Sequence, residues 1–277
     1  MQGALLAWWL ALCAAALVNV LAWAWSARLL ARGAAHVPAE VLAWRRTLLW
    51  LSAGYVAGCA FRSIFPMVDA PRICLHDTWI SRIVVGRTVA TAAELCFALQ
   101  WALLLREAGV GARTATFAGR LIVPIIAVAE IFSWSAVLTA NYLLHAIENS
   151  LWVLAGALAL AGFISLRTRA EGRVARFLEA AILSAAGYLA FMVMVDVPMY
   201  LSRWRAAAGA TLPIEQGLRT LLERCVVEHD WGTWRGDVLW LTLYFTVAVW
   251  ISIALAHAPR LGTSRQSLRG QPRLLIP

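Results

Sequence analysis

The 277-residue sequence contains no lysine; all 24 of its basic residues are arginine. That removes any mechanism built on a lysine Schiff base, including the linkage a retinal protein needs. Charge of either sign is scarce: 14% of residues are charged against 62% hydrophobic, and mean hydropathy is +0.72. A soluble domain of this length needs a far more polar surface, so the fold class is all-α and the protein a polytopic integral membrane protein. Five histidines are too few for the dense histidine boxes of membrane desaturases. There is no phosphate-binding glycine loop, no Gly-x-Ser-x-Gly and no evident internal repeat, and the missing repeat counts against a transporter built from inverted halves.

What the chain does contain is organised around Asn141–Trp152. These residues sit in an apolar block, Leu121 to Leu166, that is too long for one bilayer crossing and suits two of about 20 residues each. The chain must turn there. Just past the turn, His145, Glu148, Asn149 and Trp152 have the i, i+3, i+4, i+7 spacing that stacks side chains on one helix face. The remaining apolar runs place spans at about Gly3–Trp25, Thr47–Phe65, Ile83–Leu105, Leu121–Thr139, Ala146–Ser165, Phe177–Leu201 and Val238–Ala258, a seven-transmembrane-helix bundle. The first has no basic residue before it and Arg28 and Arg32 straight after it, which reads as a retained helix with its N-terminus outside.

That orientation puts Arg28, Arg32, Arg45 and Arg46, then Arg106, Arg113 and Arg120, then Arg167, Arg169, Arg173 and Arg176, and finally Arg260, Arg265, Arg269 and Arg273 on the cytoplasmic side, as the positive-inside rule requires. The net charge of +9 is then explained by orientation and by attraction to anionic membrane lipid, about 1 kcal/mol per well-placed arginine. No nucleic-acid partner is needed. Residues 1–259 read as the transmembrane domain and 260–277 as a basic cytoplasmic tail, in a multi-pass protein of a bacterial inner membrane.

The outer side holds two polar loops. Pro66–Ser81 carries Asp69, Arg72, Cys74, His76 and Asp77; the last loop runs from about 202 to 236. Within the latter, Thr211-Leu-Pro213 reads as a helix cap, and Ile214, Leu218, Leu221, Leu222 and Cys225 share a face away from Glu215, Arg219, Glu223 and Arg224. This predicts an amphipathic helix, either a lid over a pocket or a helix lying in the lipid interface. Cys74 and Cys225 both fall outside, where disulfides form, and a bridge between them would pin that helix to the pocket mouth. Cys13, Cys59 and Cys96 lie in apolar spans and read as small hydrophobes.

The strongest functional signal is ionisable groups at membrane depth, which are expensive and usually face a bundle interior. Arg87, Thr91 and Glu94 share a stripe with Trp101; Glu130, Ser133, Trp134 and Asn141 share another. Tyr188, Met192 and Asp196 follow, then Asp237, Trp240 and Tyr244, with Tyr55, Cys59 and Arg62 from the second span. One polar cavity opening outward is the economical arrangement. The expected catalytic residues are Glu94, Glu130, His145, Glu148 and Asp196, with Arg62, Arg87, Asn141, Asn149, Trp152 and Asp237 binding substrate. His145-x-x-Glu148 could instead anchor a divalent metal, with His76 and His229 adding ligands at the mouth. A purely structural use would pair Arg87 with Glu94, and Arg62 with Asp196 or Asp237. The expectation is a membrane-embedded enzyme, acid–base or metal-dependent, acting on a lipophilic or amphiphilic small molecule; a non-catalytic receptor or a small-molecule transporter is the alternative.

Overall fold

Apolar side chains cover these helices on every side, including faces that no other helix touches, and lipid is the solvent that suits such a surface. On α1 (Gly3–Arg32), for example, Leu10, Leu17 and Leu21 all point away from the rest of the chain. In the computed structural model, which describes residues 3–108, 112–223 and 225–261, the protein is nearly all α-helical. Arg224, Arg265, Arg269, Arg273 and the tail from residue 262 lie outside the described residues.

After α1 come α2 (Ala39–Ile64), α3 (Ile83–Glu107), α4 (Arg113–Thr139) and α5 (Tyr142–Arg167). The sixth rod is continuous from Gly172 to Ala206, built of α6 (Gly172–Phe191), a π-helical segment (Met192–Asp196) and α7 (Val197–Ala206). α8 (Ile214–Leu222) and the short α9 (Trp231–Trp234) follow, and α10 (Val238–Phe245) and α11 (Val247–Leu255) form the last rod. Six of these rods are long and apolar enough to cross a membrane: α1, α3, α4, α5, α6 to α7, and α10 to α11. The protein is therefore a multi-pass membrane protein. α2 has the length but is more polar, carrying Glu40, Arg45, Arg46 and Arg62.

Short connections fold successive helices back on one another. Between α4 and α5 only Ala140 and Asn141 intervene: Ala140 takes the left-handed conformation (φ 53°), and the Asn141 side chain caps α5 by accepting from the Leu143 amide at 2.9 Å. The half of the bundle far from the polar loops is mostly apolar, with polar staples such as that of Gln100. Gln100, fully buried on α3, donates to the carbonyls of Leu48 on α2 (2.9 Å) and Ser252 on α11 (3.1 Å), and the Ser252 hydroxyl returns a bond to the Gln100 amide at 2.7 Å.

The two polar loops join into one cap. β1 (Met67–Val68) pairs antiparallel with β2 (Ile73–Cys74), and β2 pairs parallel with β3 (Val226–Val227). A disulfide links Cys74 to Cys225. The amphipathic helix forms, but the proline stands at its N-cap with no side-chain cap, and Thr211 does not cap it. It seats beside α3 and α4 because Leu221 packs among Met67, Cys74, Ile83 and Val137, and Gly217 lies so close to the Leu138 carbonyl that any Cβ would collide with it. Arg72 locks this arrangement through the Thr220 hydroxyl and, at 2.6 Å, the Val137 carbonyl.

His76 packs edge-on against Trp9 (ring centroids 4.9 Å apart) and Phe65 (6.0 Å). Burial pushes its pKa below the usual histidine value of 6.5, a backbone hydrogen bond to Ile64 opposes this, and His229 adds to the lowering. The unfolded chain thus takes up the proton more readily than the folded one. The cap is most stable above pH 6.5 and loses stability as pH falls below it. Melting temperature should therefore drop between about pH 7.5 and 5.5, and His76→Gln should flatten that slope; an unchanged slope would refute this account of the ring. Reduction, or Cys225→Ser, should cost about 2–5 kcal/mol, since the bridge closes a loop of 151 residues; the check is thermal unfolding with and without reductant.

Candidate functional site

At the centre of the half of the bundle beneath the cap lies the Arg87 guanidinium, 5% exposed. Its Nη2 donates to Glu94 on the same helix and to Glu130 on α4, both at 2.9 Å. Its Nη1 stands 3.7 Å from Asp69 of the cap and 3.7 Å from Glu148 of α5. Glu130 also accepts from the Thr91 hydroxyl at 2.6 Å, and Thr91 in turn accepts from the Trp134 indole at 3.1 Å. Four carboxylates from four places in the chain thus converge on one cation.

Beside this cluster, the chain encloses a polar chamber of about 90 Å³. Asp69, Glu94, Glu148, Asp196, Arg62, Arg87, His145 and Asn149 line it, with Tyr55, Trp152, Tyr200, Trp240 and Tyr244 supplying aromatic walls. His145, Glu148, Asn149 and Trp152 all face it, as their helical spacing requires. His145 Nδ1 and Glu148 Oε2 are hydrogen-bonded at 2.9 Å, and the Tyr200 ring lies 5.0 Å from the imidazole, centroid to centroid. Asp196 is 4% exposed and makes no hydrogen bond among the described residues. The π-helical turn that ends at Asp196 widens the helix there and delivers its carboxylate to the chamber, a use π-turns often have at functional sites.

A second, apolar chamber of about 350 Å³ adjoins the first. Its walls come from α3, α5, α6, α10 and α11, including Phe97, Trp101, Phe163, Phe191 and Ile251. Tyr55, Glu94, Trp152 and Tyr244 border both chambers. Small side chains open this space: Ala155, Gly156 and Ala159 on α5 face Ala185 and Gly187 on α6. α6 leans on α5, with at most marginal contact to α10 or α11. The chamber consequently reaches lipid along Leu183 and Val247, both of which line it and are strongly exposed.

Several expected roles fall elsewhere. Arg62 pairs with neither Asp196 nor Asp237; it donates to the Met67 carbonyl at 2.9 Å, because the cap folds back over the end of α2. Asp237 is held by Arg203 through contacts of 3.0 Å and accepts from the Trp240 indole at 2.8 Å, so it orients a wall residue without lining the chamber. Asn141 serves as the α5 cap and is likewise not among the lining residues. No lining residue comes from 202–236; Val68, Asp69 and Ala70 form the roof in place of α8. His229 is spent on the Leu75 carbonyl at 3.0 Å, and His76 packs against rings. No group of three or more His, Cys, Asp or Glu among the described residues is placed to hold a metal ion, so His145 and Glu148 have no third ligand there. Asp69 and Tyr200 belong to the site without having been singled out for it: a lone loop acid has no periodicity to read, and Tyr200 lay where the sixth span was expected to end.

No family model matches this chain, and neither a curated protein nor a solved structure matches it.

Removing one partner from a buried ionic cluster leaves uncompensated charge, at a cost of about 3–5 kcal/mol. Arg87→Gln should therefore destabilise the protein by about that much, and Glu130→Gln by less. The double variant should lose less than the sum of the two, as read by thermal unfolding in detergent. Strict additivity would show that the two side chains do not depend on each other.

Proposed function

We propose that the chain is a seven-helix protein of a bacterial inner membrane, with its N-terminus outside and its C-terminus cytoplasmic, and that its twin chambers bind and transform a lipophilic or amphiphilic small molecule. α2 supplies the seventh crossing: at 26 residues it would extend about 39 Å, and it packs between α1 and α3. The arginine distribution and the Cys74–Cys225 bridge, which needs an oxidising compartment, support this orientation. Residues 1–259 then make one transmembrane unit followed by the basic tail.

The observation that carries the functional reading is the wall shared by the two chambers. A polar space of about 90 Å³ admits a small head group, and an apolar space of about 350 Å³ lies in the range of small-molecule sites. Glu94 stands where head and tail would meet. His145, oriented by Glu148, would take a proton from the head or from a water beside it, and Glu94 would return one; Glu130, also expected as an acid, lines neither chamber and is held by Arg87 and Thr91. Arg62, Arg87, Asn149 and Trp152 shape the space around the head. A divalent metal at His145 and Glu148 would need a further ligand from substrate or solvent, which leaves metal-free acid–base chemistry as the favoured form.

The test compares lipid-like molecules that copurify with wild type, Glu94→Gln and His145→Ala, identified by mass spectrometry. Both variants should fold, lose turnover by about 100-fold or more, and retain an unconverted amphiphile that wild type carries only as its product. The same molecule in equal amount in all three proteins would mark a receptor or carrier and remove the enzyme reading.

A further inference from the structure

We propose that the head group of this amphiphile carries a cationic nitrogen, a primary or small alkyl ammonium; the inference rests on the reading of the twin chambers as an amphiphile site. Asp69, Glu94, Glu148 and Asp196 line the polar chamber, against two arginines, Arg62 and Arg87, and the ionisable His145, which is paired with Glu148. Arg87 is already engaged with carboxylates, Glu130 among them; Arg62 gives an Nη to a backbone carbonyl, and its buried Nε has no partner among the described residues. An anionic head would add its charge to a surplus of the same sign. An ammonium would relieve that surplus.

Asp196 is a second and independent pointer. It is more than nine-tenths buried, lines the chamber, and has no hydrogen-bond partner among the described residues, while Arg203 is taken by Asp237. A buried carboxylate without a donor is costly, and an N–H from a ligand is the group that would satisfy it. Trp240 and Tyr244 add aromatic surface to the same walls, which a desolvated cation prefers; the Tyr200 ring already carries the Arg203 guanidinium 5.8 Å from its centroid. The small volume limits the head to an ammonium with few substituents. The tail reaches its own chamber sideways from lipid, past Leu183 and Gly187 of α6 and Val247 of α11.

The test uses the full chain in phosphatidylcholine nanodiscs with three probes of equal length: dodecylamine, dodecanol and laurate. Saturable shifts in tryptophan fluorescence and in melting temperature report binding. Dodecylamine should bind at least about tenfold more tightly than either competitor, the worth of one desolvated cation contact. Bulk attraction cannot produce that order, because a protein of net charge +9 attracts laurate. Asp196→Asn should abolish the preference for amine over alcohol and leave alcohol binding unchanged. Gly187→Trp, at a position where a Cβ meets nothing, should weaken all three probes alike by filling the mouth. Equal or tighter binding of dodecanol or laurate to wild type overturns the cationic head while the amphiphile site stands. Absence of saturable binding by all three overturns the amphiphile site itself.

Discussion

The structure depends on one buried guanidinium. Arg87 could not remain charged inside an apolar bundle without partners, and the carboxylates of Glu94, Glu130, Glu148 and Asp69 could not remain there without it. These partners come from its own helix, from two neighbouring helices and from the cap. Sliding any of them by a turn would strand a charge. Apolar packing against lipid tolerates many helix registers; this cluster tolerates one.

The same cluster leaves more acids than arginines around the polar chamber. Arg87 can satisfy several acids but cannot neutralise them all, and Asp196 stands apart from it on the π-helical turn. A network that served only to fix helix register would be expected to close on itself. This one borders a void, with a hydrogen-bonded His145–Glu148 pair on one wall and an apolar chamber behind Glu94. Loose packing of α6 against the last rod gives that second chamber its route to lipid. Polar and apolar space are thereby kept in separate compartments that share four side chains.

How far the sequence could be read follows from where each signal comes from. Bilayer thickness sets the length of an apolar run, so the helices and the turn at Ala140–Asn141 were legible, although α1 ends at Arg32 and α2 and α4 begin at Ala39 and Arg113, each well outside its expected apolar span. Helical spacing placed His145, Glu148, Asn149 and Trp152 on one face, and Arg87, Thr91 and Glu94 on another. Compartment logic singled out Cys74 and Cys225 as a candidate pair. Strands of two residues carry no periodicity, so the sheet that roofs the chamber and brings in Asp69 was invisible. The partner of Asp237 was misassigned because α7 continues to Ala206, past the expected end of the sixth span, and carries Arg203 on helix. The amphipathic helix was readable as a helix, but where it seats depends on Gly217 meeting the Leu138 carbonyl, a contact between distant parts of the chain.

By itself the sequence determined that this is a helical, multi-pass membrane protein, and which side chains share a helix face, because hydrophobicity and the 3.6-residue repeat are local properties. Only the tertiary structure decided which faces meet, which arginine answers which acid, and that a polar chamber and an apolar one share a wall. Pairing between helices is a matter of distance in space, and spacing along one chain does not encode it.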